Sequence, residues 1–116
     1  MTNAGKQQKV AEKLGDYLAE HLEKNLPVTI VFPVCRLRFE VYGTENEGVM
    51  NLKYNAPGQV RLQLGIYRKG TDRLYSNFFP AMAAEEMIRY LRDPAAHQEW
   101  IEQIKHLSAS VDDYWD

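Results

Sequence analysis

The N-terminal part of the chain places apolar residues with the period of an α-helix. Leu14, Leu18 and Leu22 recur at intervals of four, which puts them on one helical face. Because residues 1–7 are polar or small, we expect a mobile start and then an amphipathic helix over residues 8–24. An Asn-Leu-Pro sequence ends this helix, since proline disfavours the helical region for the residue before it.

The middle of the chain changes to the two-residue period of β-strands. Residues 28–32 are β-branched and aromatic, and residues 35–42 alternate strictly between apolar and polar side chains. Residues 49–54, 60–67 and 73–79 predict further strands, separated by polar, glycine-containing turns. Such short turns favour antiparallel pairing of neighbours, because a parallel pair needs a longer crossover. The inward positions of the most regular strand are Val60, Leu62, Leu64 and Ile66.

Two helices are predicted after the strands, the first over residues 80–92. The second opens at an Asp-Pro pair and runs to residue 111, with His97 and Trp100 on its apolar face. This order predicts an α+β fold: a four- or five-stranded antiparallel meander with one N-terminal and two C-terminal helices packed on one face. We expect one domain over residues 8–111 and an acidic aromatic tail over residues 112–116. The second sheet face is left for water or a partner.

Composition supports a globular domain, and the charge is unevenly distributed. The chain has 116 residues, of which 45% are hydrophobic and 26% charged, which excludes a disordered protein. A net charge of -2 argues against a strongly basic nucleic-acid binder. Residues 28–79 nevertheless hold seven Lys and Arg against four Asp and Glu, whereas residues 80–116 hold three against eight. The predicted sheet is therefore basic and the C-terminal third acidic.

Basic and aromatic side chains interleave on the outward positions of the predicted sheet. The candidate binding residues are Arg36, Arg38, Tyr42, Lys53, Arg61, Tyr67, Arg73 and Tyr75. Proteins that hold single-stranded nucleic acid use cations on phosphates and aromatic rings stacked on bases. The same residue types also occur on ordinary solvated sheet faces, where cross-strand pairs stabilise them.

The last five residues, Asp112, Asp113, Tyr114, Trp115 and Asp116, resemble the acidic, aromatic C-terminal tails of bacterial and phage single-stranded-DNA-binding proteins. The resemblance implies a tail that docks partner proteins and competes with DNA for a basic face. Those proteins have a closed five-stranded barrel interrupted by a helix, so the resemblance does not extend to the fold. The alternative is that the two aromatic residues pack on the domain or fray.

The sequence carries no recognised catalytic, nucleotide-binding or metal-binding motif. It has no Gly-x-Ser-x-Gly elbow, Walker loop or dinucleotide glycine motif. His21, His97 and His106 lack the four-residue spacing that places two ligands on one helical face. Cys35 is in phase with the inward residues of its strand, which favours a buried core residue over a nucleophile. We therefore expect no enzymatic activity, no cofactor and no metal.

These features predict a small soluble module that binds a protein, such as an accessory or inhibitor protein of a bacterium or mobile genetic element. The alternative is single-stranded nucleic-acid binding through the basic, aromatic sheet face with its acidic tail. The uncharged strand over residues 28–32 predicts either a homodimer through this sheet edge or coverage by the N-terminal helix. The lone cysteine and the lack of a signal or membrane-spanning stretch favour a cytoplasmic protein without membrane contact.

Overall fold

The predicted α+β architecture is confirmed, with one helix, an antiparallel sheet and two further helices along the chain. The computed structural model describes the backbone of residues 2–29 and 33–115 and the side chains of residues 2–29 and 33–112. The helices are α1 (Asn3–Lys24), α2 (Ala84–Leu91) and α3 (Pro94–Trp115), and the strands are β1 (Cys35–Glu40), β2 (Asn46–Ala56), β3 (Gln59–Arg68), β4 (Tyr75–Phe78) and β5 (Met82–Ala83). The strands pair in the order β1-β2-β3-β4, and β5 pairs with the beginning of β3.

The alternation of apolar residues decides which sheet face the helices cover. Cross-strand pairing aligns Leu37 with Met50 and Met50 with Leu64, so inward residues of three strands lie side by side. They form one core cluster with apolar residues of all three helices. The four inward residues predicted for β3 are all fully buried, which confirms the predicted register of this strand.

Helix α1 meets the corner between α2 and α3 at Gly15. A β-carbon at this position would overlap the carbonyl oxygen of Leu91 and lie 2.6 Å from Nε2 of His97. That ring nitrogen donates a hydrogen bond of 2.8 Å to the same carbonyl. One turn further along α3, Trp100 is fully buried and its ring meets that of Tyr90 edge-on, which confirms it as a core residue.

The N-terminal helix begins earlier than the predicted start at residue 8. The hydroxyl of Thr2 caps the helix by accepting a hydrogen bond of 3.0 Å from the backbone N–H of Gly5. The buried Gln7 side chain donates to the Glu40 carbonyl and accepts from the Tyr42 N–H. The polar composition of residues 1–7 therefore did not predict where α1 starts, because the Thr2 N-cap and the hydrogen bonds of the Gln7 amide stabilise the first turns of the helix.

The C-terminal helix also continues past its predicted end, through the backbone of the segment assigned to a separate tail, and ends at Trp115. Asp112 accepts a hydrogen bond of 3.1 Å from Nδ2 of Asn46 and forms an ion pair of 3.6 Å with Arg68. Both partners lie on the helix-covered side of the sheet, so this carboxylate faces away from the opposite sheet face. The side chains of Asp113, Tyr114, Trp115 and Asp116 lie outside the described residues, so the predicted contacts of these tail residues stay predictions.

The uncharged segment predicted as an edge strand departs from that prediction where it is described. Val28 and Thr29 lie outside any strand, and residues 30–32 are outside the described part of the chain. The Val28 carbonyl instead accepts a hydrogen bond from Gly58 in the β2–β3 turn. β1 and β4 are the two edges of the described strand order; the exposed residues of β1 are charged and β4 has only four residues, and both features discourage edge-to-edge pairing. The homodimer predicted through this segment stays a prediction.

Gly15→Ala is expected to lower the free energy of unfolding by about 1–3 kcal/mol, the usual cost of forcing an extra carbon into a packed interior. Helix propensity alone predicts that alanine would raise the free energy of unfolding by roughly 1 kcal/mol, so a decrease would show that the close contact at Gly15 dominates. Urea denaturation followed by circular dichroism measures it. Lys9→Ala, at an exposed position of the same helix, is the control and should change stability by less than about 0.5 kcal/mol. Unchanged or raised stability of Gly15→Ala would contradict the close contact.

Candidate binding face

The sheet face opposite the helices, called the open face below, is built from the residues that alternate with the core. Cross-strand pairing arranges these residues in rows across the strands. The rows are Glu40, Glu47 and Tyr67; Arg38, Val49, Gly65 and Ser76; Arg36, Asn51, Gln63 and Phe78; and Lys53 with Arg61.

Five of the eight predicted binding residues lie on the open face. Arg36, Arg38, Lys53 and Arg61 carry their cations there, as the alternation predicted. Tyr67 lies on the same face but is only 8% exposed, so its ring is not available to a partner. The guanidinium of Arg38 covers that ring, with Cζ 5.6 Å from the ring centre.

The other three predicted residues lie elsewhere. Tyr75 pairs with the inward Ile66 and packs against the core, and Asn77 on the same side of β4 donates to Gln103 of α3. The prediction of an outward Tyr75 was therefore wrong, because the irregular segment before β4 shifts the phase of the strand. Tyr42 follows the end of β1 and lies beside α1, where Lys6 is 5.6 Å from its ring centre.

Arg73 belongs to the loop between β3 and β4, and the last residue of this loop, Leu74, covers the middle of the open face. A β-carbon at Gly65 would lie 2.6 Å from Cδ1 of Leu74 and 3.1 Å from Cγ1 of Val49. The missing side chain at Gly65 therefore makes room for Leu74 on the sheet. Val49 is fully buried as a result, although its strand position faces outward.

A chain of amide and hydroxyl groups runs beside this apolar contact. Nδ2 of Asn51 donates to Oε1 of Gln63, and Nε2 of Gln63 donates to the hydroxyl of Ser76, both at 3.0 Å. These bonds connect β2, β3 and β4 through their side chains, in addition to the backbone ladder. Asn51 keeps a buried Oδ1 without a hydrogen-bond partner among the described residues.

The exposed aromatic residue of the open face is Phe78, which the sequence prediction missed. Its side chain is 49% exposed and lies beneath two cations, with Cζ of Arg61 4.9 Å and Nζ of Lys53 5.4 Å from the ring centre. Leu74 adds a second exposed apolar side chain, at 39%. The sequence carried no signal for either residue, because the irregular loop before β4 sets the phase of this four-residue strand.

Cys35 is buried in the core side of β1, as its phase predicted. Burial raises the pKa of its thiol above the ordinary value of 9.0, because the thiolate loses hydration. Within the described ranges, no group of three His, Cys, Asp or Glu residues is placed to hold a metal ion. No described helix is both long and apolar enough to cross a bilayer.

Comparison of the chain with protein families, with curated proteins and with solved structures finds no match. The chemistry of the open face therefore has to be interpreted from its own residues.

The buried thiol of Cys35 is expected to react with a disulfide reagent at pH 8 far more slowly in the folded protein than in urea. Unfolding free energy should also fall as the pH rises above about 9, because the unfolded chain ionises its thiol first. In Cys35→Ala the fall in unfolding free energy that comes from thiol ionisation should disappear. The same variant should be less stable than the natural chain by roughly 1 kcal/mol at neutral pH. Rapid labelling of the folded protein would contradict the buried position.

Proposed function

We propose that the protein is a non-enzymatic binding module that binds an acidic partner protein through the open face. The observation that carries this proposal is the pair of exposed apolar side chains, Leu74 and Phe78, on a face that also carries four cationic side chains. Protein interfaces combine apolar and aromatic anchors with arginine in this way. The cations favour a partner that brings carboxylates to the same surface.

The environment of the aromatic rings favours a protein over single-stranded nucleic acid. Single-strand binding needs several accessible rings on which successive bases stack. Tyr67 is buried under Arg38, and Tyr75 packs with the core. Phe78 remains as one exposed ring, and two cations already stack on it. We therefore treat nucleic-acid binding through the same cations as the alternative that experiment has to exclude.

A module of this kind acts by occupying its partner's surface, which suits an accessory or inhibitor protein. The charged residues at the β1 edge and the short length of β4 at the other edge argue against strand-to-strand self-pairing, so a different protein is favoured over a second copy of the chain. A reducing compartment suits the buried, unpaired Cys35, and we propose a cytoplasmic location for this reason.

A photoreactive phenylalanine analogue at position 78 is expected to crosslink to a discrete protein in cells that express the chain. The same analogue at Gln98, an exposed residue of α3, is the matched control and should give no such adduct. Arg61→Glu in the position-78 chain should lower the yield by about tenfold, since a lost charge contact of about 1.4 kcal/mol has this effect on affinity.

Mass spectrometry and nuclease digestion of the adducts decide between the alternatives. An adduct with one defined protein of acidic surface supports the proposal. Adducts removed by nuclease, equal yields from positions 78 and 98, or no adduct at all would each overturn it.

Short single-stranded DNA and RNA are expected to bind only nonspecifically at physiological salt, with dissociation constants no lower than about 10⁻⁶ M. Fluorescence titrations at low and physiological salt measure this. Removal of residues 112–116 should not strengthen binding, because Asp112 contacts Arg68 and Asn46 on the helix-covered side. Submicromolar, salt-sensitive binding that is lost in Phe78→Ala would instead establish the nucleic-acid alternative.

A further inference from the structure

A small pocket on the open face lies between β1 and the loop that precedes β4. Its volume is about 150 Å³, enough for one side-chain head group and too little for a nucleotide. The lining residues are Arg36, Arg38, Tyr67, Thr71, Asp72 and Leu74. The pocket therefore combines two guanidinium groups, a phenol, an apolar wall and one carboxylate.

The donors around this pocket have unused hydrogen-bonding capacity. Among the residues whose side chains are described, Arg36 and Arg38 form no hydrogen bond or ion pair, and Arg38 only stacks on Tyr67. The hydroxyl of Tyr67 is buried and meets no acceptor with full hydrogen-bond geometry among the described residues, although the Glu47 carboxylate lies close enough to interact with it. A buried hydroxyl in this state is unfavourable unless a ligand or partner supplies the missing acceptor.

We propose that this pocket binds the carboxylate of an Asp or Glu side chain that the partner protein inserts beside Leu74. The inference rests on the proposed function and adds the chemical group that the open face recognises. Arg36 and Arg38 would donate to the carboxylate oxygens, and the Tyr67 hydroxyl would donate to the same group. Leu74 offers an apolar wall for the methylene groups of the inserted side chain.

The charges favour a carboxylate over a phosphate. Two guanidinium groups face the Asp72 carboxylate in the pocket lining and the Glu47 carboxylate beside Tyr67, so the surroundings offer too little positive charge for a dianion. Burial raises the pKa of Tyr67, and the nearby Glu47 carboxylate raises it further, so the phenol keeps its proton and can donate. Glu47 also adds repulsion against a second negative charge on the ligand.

The probe for this site is an aspartate residue blocked at both termini, with blocked asparagine as the neutral control. Titration followed by nuclear magnetic resonance should shift the signals of Arg36, Arg38 and Tyr67 with the blocked aspartate alone. Arg36→Gln should weaken binding by about tenfold, and Tyr67→Phe, which removes one hydroxyl, by about threefold or more. Arg89→Gln removes the same charge from an exposed position of α2, away from the open face, and should change affinity by less than about twofold.

Three results would overturn the carboxylate site. These are equal binding of blocked asparagine, equal weakening by Arg89→Gln and Arg36→Gln, and tighter binding of inorganic phosphate than of blocked aspartate. The crosslink from position 78 separates this inference from the proposed function. If that crosslink persists in Arg36→Gln and Tyr67→Phe, the pocket is overturned and protein binding is kept. If the pocket binds blocked aspartate but position 78 gives no protein adduct, the proposed function fails on its own.

Discussion

The close approach of α1 to the corner between α2 and α3 determines how the two sheet faces are used. At Gly15 the backbone of α1 lies against the Leu91 carbonyl, which already accepts the His97 hydrogen bond. Any side chain there would push α1 away from the corner and open the helix layer. Because α1 fits, all three helices share one sheet face, and the opposite face keeps its polar and cationic side chains outside the core.

A second close approach gives the open face its shape. Gly65 lacks the side chain that would otherwise displace Leu74, so the loop before β4 lies directly on the sheet. This loop divides the cations into one group beside the loop, with Arg36 and Arg38, and another around Phe78. The first group borders a pocket, and the second forms a stacked surface. The two halves therefore suit a partner with both an acidic side chain and an apolar contact.

The parts of the fold that could be predicted from sequence are those in which one physical period continues without interruption. β3 is paired on both sides and covered by helices on one face, so its apolar residues alternate along the whole strand. The positions of Arg36 and Arg61 followed from the same period. Tyr75 could not be placed, because the preceding loop follows no period and its length sets the phase of β4. Val28 was predicted in a strand for a different reason, its β-branched side chain, but its carbonyl accepts a hydrogen bond from the β2–β3 turn instead of from a neighbouring strand.

Gln7 occupies a position where the chemistry of the side chain is closely constrained. Its amide satisfies a carbonyl and an N–H group of the backbone where β1 ends, in the way that a neighbouring strand would. Glutamate has the same length but lacks the donor, and asparagine has both groups but is one methylene shorter. Among close chemical substitutes none reproduces both bonds, so in lineages that keep this fold position 7 should vary less than the exposed positions around it.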